Sequence, residues 1–380
     1  MEYINTRKIK YLQYANALLE KLFHVKKSTE PIDWKNAKEI LVVDYNAIGD
    51  TVMLIPFLRT VRSNAPSARI TLACRKLAKD VLENQDLVDS FITADRRWFA
   101  SGRYLFNDFF SGIATIISAR KTKFDIALEP RGDIRDIFLM HFCKALRKAA
   151  YTYTGGEYML TDPVRPDSNI KHIIDDKIHF LGKLGCRVIS EDYIPSLQLT
   201  ITQIEDNKRF IEEHNLDGNI IFGIQPGAAL DIKKWDGFAK LIKKLHEKYD
   251  DAKFLIFLSD DDCDLSENLK MELDEINECC IFVRENIRTY IQRIALCNLM
   301  ICNDSSGGHI AAAFGIDVHV IFGPIMAESS KPYSKAKVFV YEAENVACRP
   351  CGTDICNNSN KCLKAISVQR VYDNIVANFR

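Results

Sequence analysis

The chain has 380 residues, 47% of them hydrophobic, and its 51 Lys plus Arg are balanced by 51 Asp plus Glu. That length suits two domains, each with its own core. A net charge of zero argues against a general nucleic-acid binder and leaves room only for local basic patches. No apolar run approaches the ~20 residues of a membrane-spanning helix. No signal-peptide pattern opens the chain, so the expected location is the cytoplasm, where its 12 cysteines would stay mostly reduced.

Residues 1–27, within an N-terminal segment 1–37, read as a basic amphipathic helix. Ile4, Tyr11, Leu12, Ala15, Leu18, Leu19, Leu22 and Phe23 recur at helical spacing. Such a helix either lies peripherally on an anionic inner-membrane surface, or packs on the body of the protein or another subunit. From residue 38, short apolar strands alternate with helices. The pattern predicts strands at 39–44, 69–74, 124–128 and 150–154, with helices near 50–64, 76–84, 133–147 and 171–184. "RRWFASGRYLFNDFFSGI", 96–113, mixes aromatics with arginines and reads either as an acceptor- or membrane-contacting loop or as a helix sealing the domain. "SEDYIPSLQLTITQ", 190–203, has a proline and no helical period, and reads as a linker. A second alternating block follows, with strands at 219–224, 253–258, 280–283, 299–302 and 318–322. "SVQRVYDNIVANF" closes the chain as an amphipathic helix.

This alternation implies an α/β fold of two doubly wound parallel-sheet domains, 38–195 and 196–347, followed by a Cys-rich tail and C-terminal helix at 348–380. Ligands of such open sheets bind beyond the carboxyl ends of the strands. Two domains in series place a cleft between them, so the strand ends are where chemistry is expected.

Three strand ends stand out. In "EILVVDYNAIGDTVMLIPFLRTV", 39–61, an apolar run breaks at Gly49-Asp50 and becomes helical. Gly49 permits a sharp turn, and Asp50 falls at or near the helix N-cap. There it serves either as a cap or as a carboxylate that accepts a proton. In "GIQPGAALDIKKWDGFAKLIKKL", 223–245, a strand ends at Gln225-Pro226-Gly227 and leads to Lys233, whose ammonium can hold phosphate as a point charge. In "LMICNDSSGGHIAAAFGIDVHVIFGP", 299–324, a strand ends at Asn303-Asp304, and Ser305, Ser306, Gly307 and His309 open a small-residue helix. Free N–H groups at such a start attract anions. Neither G-x-x-x-x-G-K-[ST] nor G-x-G-x-x-G occurs. Cys348, Cys351, Cys356 and Cys362 fit a tetrahedral zinc or iron site by number. The alternative is a reduced cluster that packs the loop. Cys279, Cys280, Cys297 and Cys302 read as small core residues.

Taken together, "NAIGDTVMLIPFLR", "QPGAALDIKKWDGF" and "CNDSSGGHIAAAFG…VIFGP" resemble the family-9 glycosyltransferases. These are the heptosyltransferases of bacterial lipopolysaccharide assembly and their protein-modifying relatives. "DIALEPRGDIRDIFL" and the "C-x-x-C…C…CL" tail add to the likeness, which spans roughly 38–375. The resemblance implies a GT-B fold, two Rossmann-like domains with the active site in the cleft between them. It further implies an inverting transfer without a required metal, from an ADP-heptose donor to a lipid-linked core saccharide or a protein hydroxyl. By position, Asp50 matches the general base, with Gly49, Thr51, Arg131 and Arg135 on the acceptor side. Lys233 matches the phosphate-binding lysine. Gln225, Gly227, Asp304, Ser305, Ser306, Gly307 and His309 match the donor site, and Asp260 or Asp262 would reach the ribose. Some protein-modifying members of the family bind a metal near the Cys cluster. Ser306 stands where the family usually has Gly, and Asp236 where it has Pro. Two alternatives stay open: a GT-B enzyme using another nucleotide sugar, and a non-catalytic metal-bearing relative.

Overall fold

A computed structural model of the chain describes residues 16, 17, 19–94, 105–189, 193–351 and 354–379, with side chains left out at 105–109. Most of the expected 1–27 helix, and the start of the 96–113 segment, lie outside the described residues. The chain divides into two packed units, Met1–Tyr193 and Ile194–Arg380.

The first unit carries β1 (Glu39–Asp44), β2 (Arg69–Cys74), β3 (Ser90–Thr93), β4 (Phe124–Glu129), β5 (Ala145–Tyr151) and β6 (Asp162–Val164). Its helices are α1 (Ile48–Asn64), α2 (Lys76–Leu82), α3 (Leu105–Ala119), α4 (Ile134–Phe142) and α5 (Ile173–Lys183). The strands lie in the order β3-β2-β1-β4-β5-β6, every pair parallel. β1 is apolar along its length because helices cover both faces of the sheet, and Ile40, Leu41, Val42 and Val43 are fully buried.

The second unit repeats this winding with β7 (Ile220–Gln225), β8 (Ala252–Phe257), β9 (Cys280–Val283), β10 (Leu299–Asn303), β11 (Asp317–Phe322) and β12 (Val338–Glu342). They lie in the order β12-β11-β10-β7-β8-β9, again all parallel. Its main helices are α6 (Ile201–Glu213), α7 (Phe238–Lys248), α8 (Cys263–Glu272), α9 (Ile287–Ile294), α10 (Ser306–Ala313) and α11 (Val368–Asn378). Thr200 and Gln203 cap the start of α6 reciprocally, so the helix opens inside the stretch expected as linker. α11 is the expected closing helix and buries Val371 and Ile375 in the core of this unit.

Each sheet reverses its winding at one point, between β1 and β4 in the first unit and between β7 and β10 in the second. Strand ends at that point are splayed apart by helices leaving to opposite faces, which opens a crevice at the sheet edge. Asp44, Glu129, Gln225 and Asn303 are the last residues of those four strands.

Several expected elements differ. The helix expected over 133–147 stops at Phe142, because Cys143 turns extended at ψ 147°. The next strand begins at Ala145 rather than 150. Its charges hid it: Arg147 is held by Asp162 on β6 and by the carbonyls of Glu30 and Pro31. The edge strands β3 and β6 are short, half-exposed and lack a clear apolar run, while β12, also at an edge and mostly half-buried, carries the apolar run Val338–Tyr341 that was not read as a strand. The described part of the 96–113 segment is helical, and Phe110, Ile113 and Ile117 of α3 are exposed. Near the N-terminus, Phe23 packs edge-on against Phe138 and Phe142, with ring centroids 6.1 and 5.9 Å apart. Among the described residues, no helix is long and apolar enough to cross a membrane.

Two substitutions test this packing. Phe222 of β7 is fully buried and touches the rings of Phe254, Tyr249 and Phe379 at 5.6, 5.6 and 5.2 Å. Phe222→Ala is expected to cost about 3–5 kcal/mol in denaturant unfolding of the second unit. Gly132, after β4, has φ +73°, and an added Cβ would lie 2.9 Å from the Tyr153 ring and 3.0 Å from the Tyr151 backbone oxygen. Gly132→Ala is expected to lower the stability of the first unit by about 1–3 kcal/mol, read as a lower Tm.

Candidate active site

In the first unit, chemistry gathers where β1 and β4 end. Ala47, in extended backbone, is the N-cap of α1 and has no side-chain cap. Asp50 is therefore the third helical residue rather than the cap, and its charge complements the positive end of the helix dipole. Gly49 lies inside α1. The left-handed glycines of this unit are Gly132, Gly155, Gly156 and Gly185, so the turn at 47–49 does not use the freedom expected of Gly49. Thr51 is buried and its Oγ1 donates to the Ala47 carbonyl at 3.0 Å. That hydroxyl braces the turn.

Asp44, at the end of β1, is buried and receives Lys177 Nζ of α5 at 3.1 Å. α5 is fixed against α1 and β5 through Phe180, whose ring lies 6.2 Å from Phe57 and 5.0 Å from Tyr151. On the β4 side, the Glu129 carboxyl is fully buried and Oε2 accepts the Gly132 N–H at 2.6 Å. Asp133 caps α4 by accepting the Arg135 N–H at 3.0 Å, and it also holds the Arg135 side chain. The "RGD" triplet is thus an internal capping loop.

Electrostatics follow from this crowding. Asp50 keeps part of its surface open, yet burial raises its pKa above the ordinary 3.8. The negative Asp44 adds to the rise, while Arg131 and Lys177 oppose it. Burial pushes Glu129 well above the usual carboxylate range, and the charges of Asp136 and Asp133 add to this. Burial pulls the Arg131 guanidinium down, but Asp133, Asp136, Asp44 and Asp50 together outweigh it and raise it. Arg131 is therefore an internal counter-ion of this acidic group. Arg135, expected beside it on the acceptor side, is occupied with Asp133.

In the second unit, the ends of β7 and β10 are cross-linked by side chains. Asn303 donates Nδ2 to the Pro226 carbonyl at 2.7 Å and accepts the Trp235 N–H at 3.1 Å. Trp235 is buried and donates Nε1 to the Ile366 carbonyl at 3.0 Å. Gln225 Oε1 accepts the Ser305 hydroxyl at 2.7 Å and the Gly307 N–H at 2.8 Å. The Tyr290 hydroxyl sits 3.5 Å from Ser306 Oγ. Part of the hydrogen-bonding capacity at the start of α10 is thus used internally. Gln225 shapes the turn instead of standing open beside it.

Lys233 pairs with Asp304 at 2.6 Å, their side chains 18% and 8% exposed. An ammonium has three donors, so this contact fixes the cation without exhausting it. Asp262 is buried and accepts the Ser259 N–H at 3.0 Å, while Lys234 lies 3.4 Å from its other oxygen. A Cβ on Gly227 would come within 2.5 Å of Asp262 Oδ2, so only glycine lets these two loops touch. Asp262 therefore locks the loop after β8, and Asp260 beside it is exposed. His309 is buried in the first turn of α10.

The structure brings Gln225, Gly227, Lys233, Asp304, Ser305, Ser306, Gly307 and His309 to one edge of the second sheet. It brings Gly49, Asp50, Thr51, Arg131 and Arg135 to the corresponding edge of the first. Lys177 and Tyr290 join them from outside the quoted stretches, and Asp44, Glu129 and Asn303 lie within those stretches but were given no role. Lys177 did leave a trace: it interrupts the apolar face of its helix between Ile174, Ile178 and Leu181, all buried.

All 12 cysteines are free thiols. Cys280, Cys297 and Cys302 are buried in the core, as expected, and Cys279 is half-buried. Burial raises the Cys351 thiol, and Cys348, Cys362 and Cys356 add to this, so the four tail thiols sense one another. Cys356 Sγ accepts N–H groups of Asn358 and Asn360 at 3.4 and 3.2 Å. Among the described residues, however, no group of three or more His, Cys, Asp or Glu side chains is arranged to hold a metal ion.

The family profile of glycosyltransferase family 9 (heptosyltransferase) matches residues 115–361. A lipooligosaccharide heptosyltransferase 2 of Campylobacter jejuni subsp. jejuni serotype O:2 is 24% identical over 339 residues, covering 86% of this chain and 93% of that relative. Among solved structures, a family-9 glycosyltransferase from Veillonella parvula aligns with TM-score 0.74 at 21% identity, covering 91% of this chain and 98% of its own. The E. coli ADP-heptose lps heptosyltransferase II aligns with TM-score 0.71 at 19% identity, covering 89% and 98%. The two Rossmann-like sheets are thus those of the GT-B enzymes in this group. With most of its length matched by the profile, the chain belongs to glycosyltransferase family 9 and is a glycosyltransferase.

Proposed function

We propose that the protein transfers heptose from ADP-heptose to a hydroxyl of a lipopolysaccharide-type core saccharide, with inversion at the anomeric carbon. The observation that carries this reading is Asp50. It is a half-buried residue at the turning point of the first sheet, with its pKa raised by burial and by the neighbouring Asp44. A carboxylate whose pKa is raised above the ordinary value is a better proton acceptor. The donor and acceptor classes come from the names of the relatives, an ADP-heptose lps heptosyltransferase II and a lipooligosaccharide heptosyltransferase 2.

In this reading, Asp50 takes the proton of the acceptor hydroxyl as its oxygen attacks the anomeric carbon. The bond from that carbon to the diphosphate breaks in the same step, and ADP leaves with the electron pair. Negative charge grows on the leaving diphosphate. Lys233, held in place by Asp304, and the start of α10 stabilise that charge. These groups supply the electrostatic stabilisation that a divalent cation supplies elsewhere. A protein hydroxyl as acceptor, or another nucleotide sugar as donor, would use the same residues.

The test pairs kinetics with binding. Asp50→Asn is expected to lower transfer about 10²–10⁴-fold while ADP still stabilises the protein in a thermal-shift assay. Lys233→Met is expected to weaken ADP binding about tenfold or more. The rate should fall as pH drops through the Asp50 pKa, and that acid limb should lie above the 3.8 of an ordinary aspartate. Full turnover by Asp50→Asn removes the base assignment. Stabilisation by UDP, GDP or CMP in place of ADP reassigns the donor.

We also propose that the four tail thiols hold a structural zinc or iron ion. Their mutual proximity and the N–H donors on Cys356 support this. Forming a ligand set would require the thiols to draw together. Elemental analysis of the purified chain should find about one such metal, lost in a Cys351→Ser, Cys356→Ser variant. Metal-free, folded protein with all four thiols titratable would overturn the proposal.

A further inference from the structure

This inference rests on the reading of Asp50 as the base. Lys177 and Asp44 form an ion pair with side chains only 5% and 1% exposed. Such a pair is a poor device for stability, since apolar residues of similar volume usually hold a helix as well or better. Its position suggests another purpose. Asp44 lies at the mouth of the turn that leads to Asp50, and the field of each reaches the other.

The charged groups around Asp50 come from three elements. Asp44 comes from β1, Arg131 from the loop after β4, and Lys177 from α5. Arg131 is in turn drawn on by Asp133 and Asp136, with Glu129 behind them and Arg135 paired to Asp133. Beside Lys177 on α5, Asp176 is engaged by the Tyr153 hydroxyl at 2.9 Å, and His179 meets the Tyr151 hydroxyl at 3.1 Å. Cys74, on β2, also feels Asp44, but burial pushes its thiol up to about 12 and it stays uncharged. Without Lys177, two neighbouring carboxylates would share one guanidinium already claimed by others. Like charges in one crowded site resist ionising together.

We propose that Lys177 is a positioning residue of the transfer reaction: it neutralises Asp44, so that Asp50 faces an ion pair instead of a second bare carboxylate. Its chemistry is that of a fixed counter-ion, and it touches neither substrate.

The test uses the full chain in four forms: wild type, Lys177→Met, Asp44→Asn and the double variant. The Asp50 midpoint is read by carbon-13 NMR of labelled aspartate, its signal identified by its loss in Asp50→Asn. In parallel, kcat/KM for ADP release from ADP-heptose, with a lipooligosaccharide core acceptor, is followed against pH. Lys177→Met should move the Asp50 midpoint and the acid limb up by about one pH unit, a roughly tenfold loss on the acid side. Asp44→Asn should move them down. The double variant should return both close to wild type, because it removes one charge of each sign. If Lys177→Met does not fold, Asp44→Asn and the double variant carry the same comparison. Unmoved midpoints in the single variants, or a double variant no closer to wild type than Lys177→Met, overturn the proposal. Full turnover by Asp50→Asn instead removes the base reading, and the NMR midpoints still decide the role of Lys177.

Discussion

Parallel pairing is the constraint on which the rest of this protein depends. Every strand pair in both sheets runs the same way, so all carboxyl ends of a sheet share one edge. The reversal of winding between β1 and β4, and again between β7 and β10, opens that edge at one point. Polar groups can enter there without breaking a hydrogen-bond ladder. Asp44, Glu129, Gln225 and Asn303, polar residues at the ends of buried apolar strands, stand at these two points. The duplication gives each unit a site of the same topology but opposite chemistry. The first is rich in carboxylates, and the second combines amides and hydroxyls with lysine–aspartate pairs.

The two sites also differ in how they meet the cost of buried polarity. The second joins strand end to helix start with neutral hydrogen bonds through Gln225, Asn303 and Tyr290, and pairs its carboxylates Asp304 and Asp262 with Lys233 and Lys234. Such bonds fix geometry and leave little net charge of their own. The first keeps full charges in place, with Arg131 and Lys177 set against Asp44, Asp50, Asp133 and Asp136. Full charges act over longer distances and respond to one another, so the acidity of any member depends on the state of the others.

Much of this was legible in the sequence, for physical reasons that particular residues make plain. β1, β7 and β10 are buried on both faces and read as unbroken apolar runs. The Gly-Asp, Pro-Gly and Ser-Ser-Gly-Gly turns then mark their ends. The edge strands β3 and β6 are only three or four residues long and half-exposed, and their residues read as loop. β5 was concealed by Arg147 and Lys148, which the fold accommodates through pairing with β6 and the 30–31 segment. Asp50 was singled out because its motif is local. Lys177 was not, because its partner Asp44 lies 133 residues away and only the winding of the sheet brings them together. Gln225 and Asp262 were read from the strand ends as donor-side residues, and the contacts they make with Ser305, Gly307, Ser259 and Lys234 were not legible there. Whether a side chain faces a ligand or a neighbouring loop depends on contacts that no short window contains.

Asn303 has a further consequence. Its amide gives a hydrogen to Pro226 and takes one from the Trp235 backbone, so the connection after β7 is pinned near both its ends to the end of β10 through a single planar group. Only a side chain that both donates and accepts at that spacing can serve, and among residues of this size that means an amide. Hydrolysis of that amide would leave a carboxylate against the Pro226 carbonyl, two oxygens with no proton between them. A slow chemical ageing reaction, one that alters the chain by a single mass unit, would therefore unfasten the connection that carries Lys233 and leave the rest of the second sheet intact.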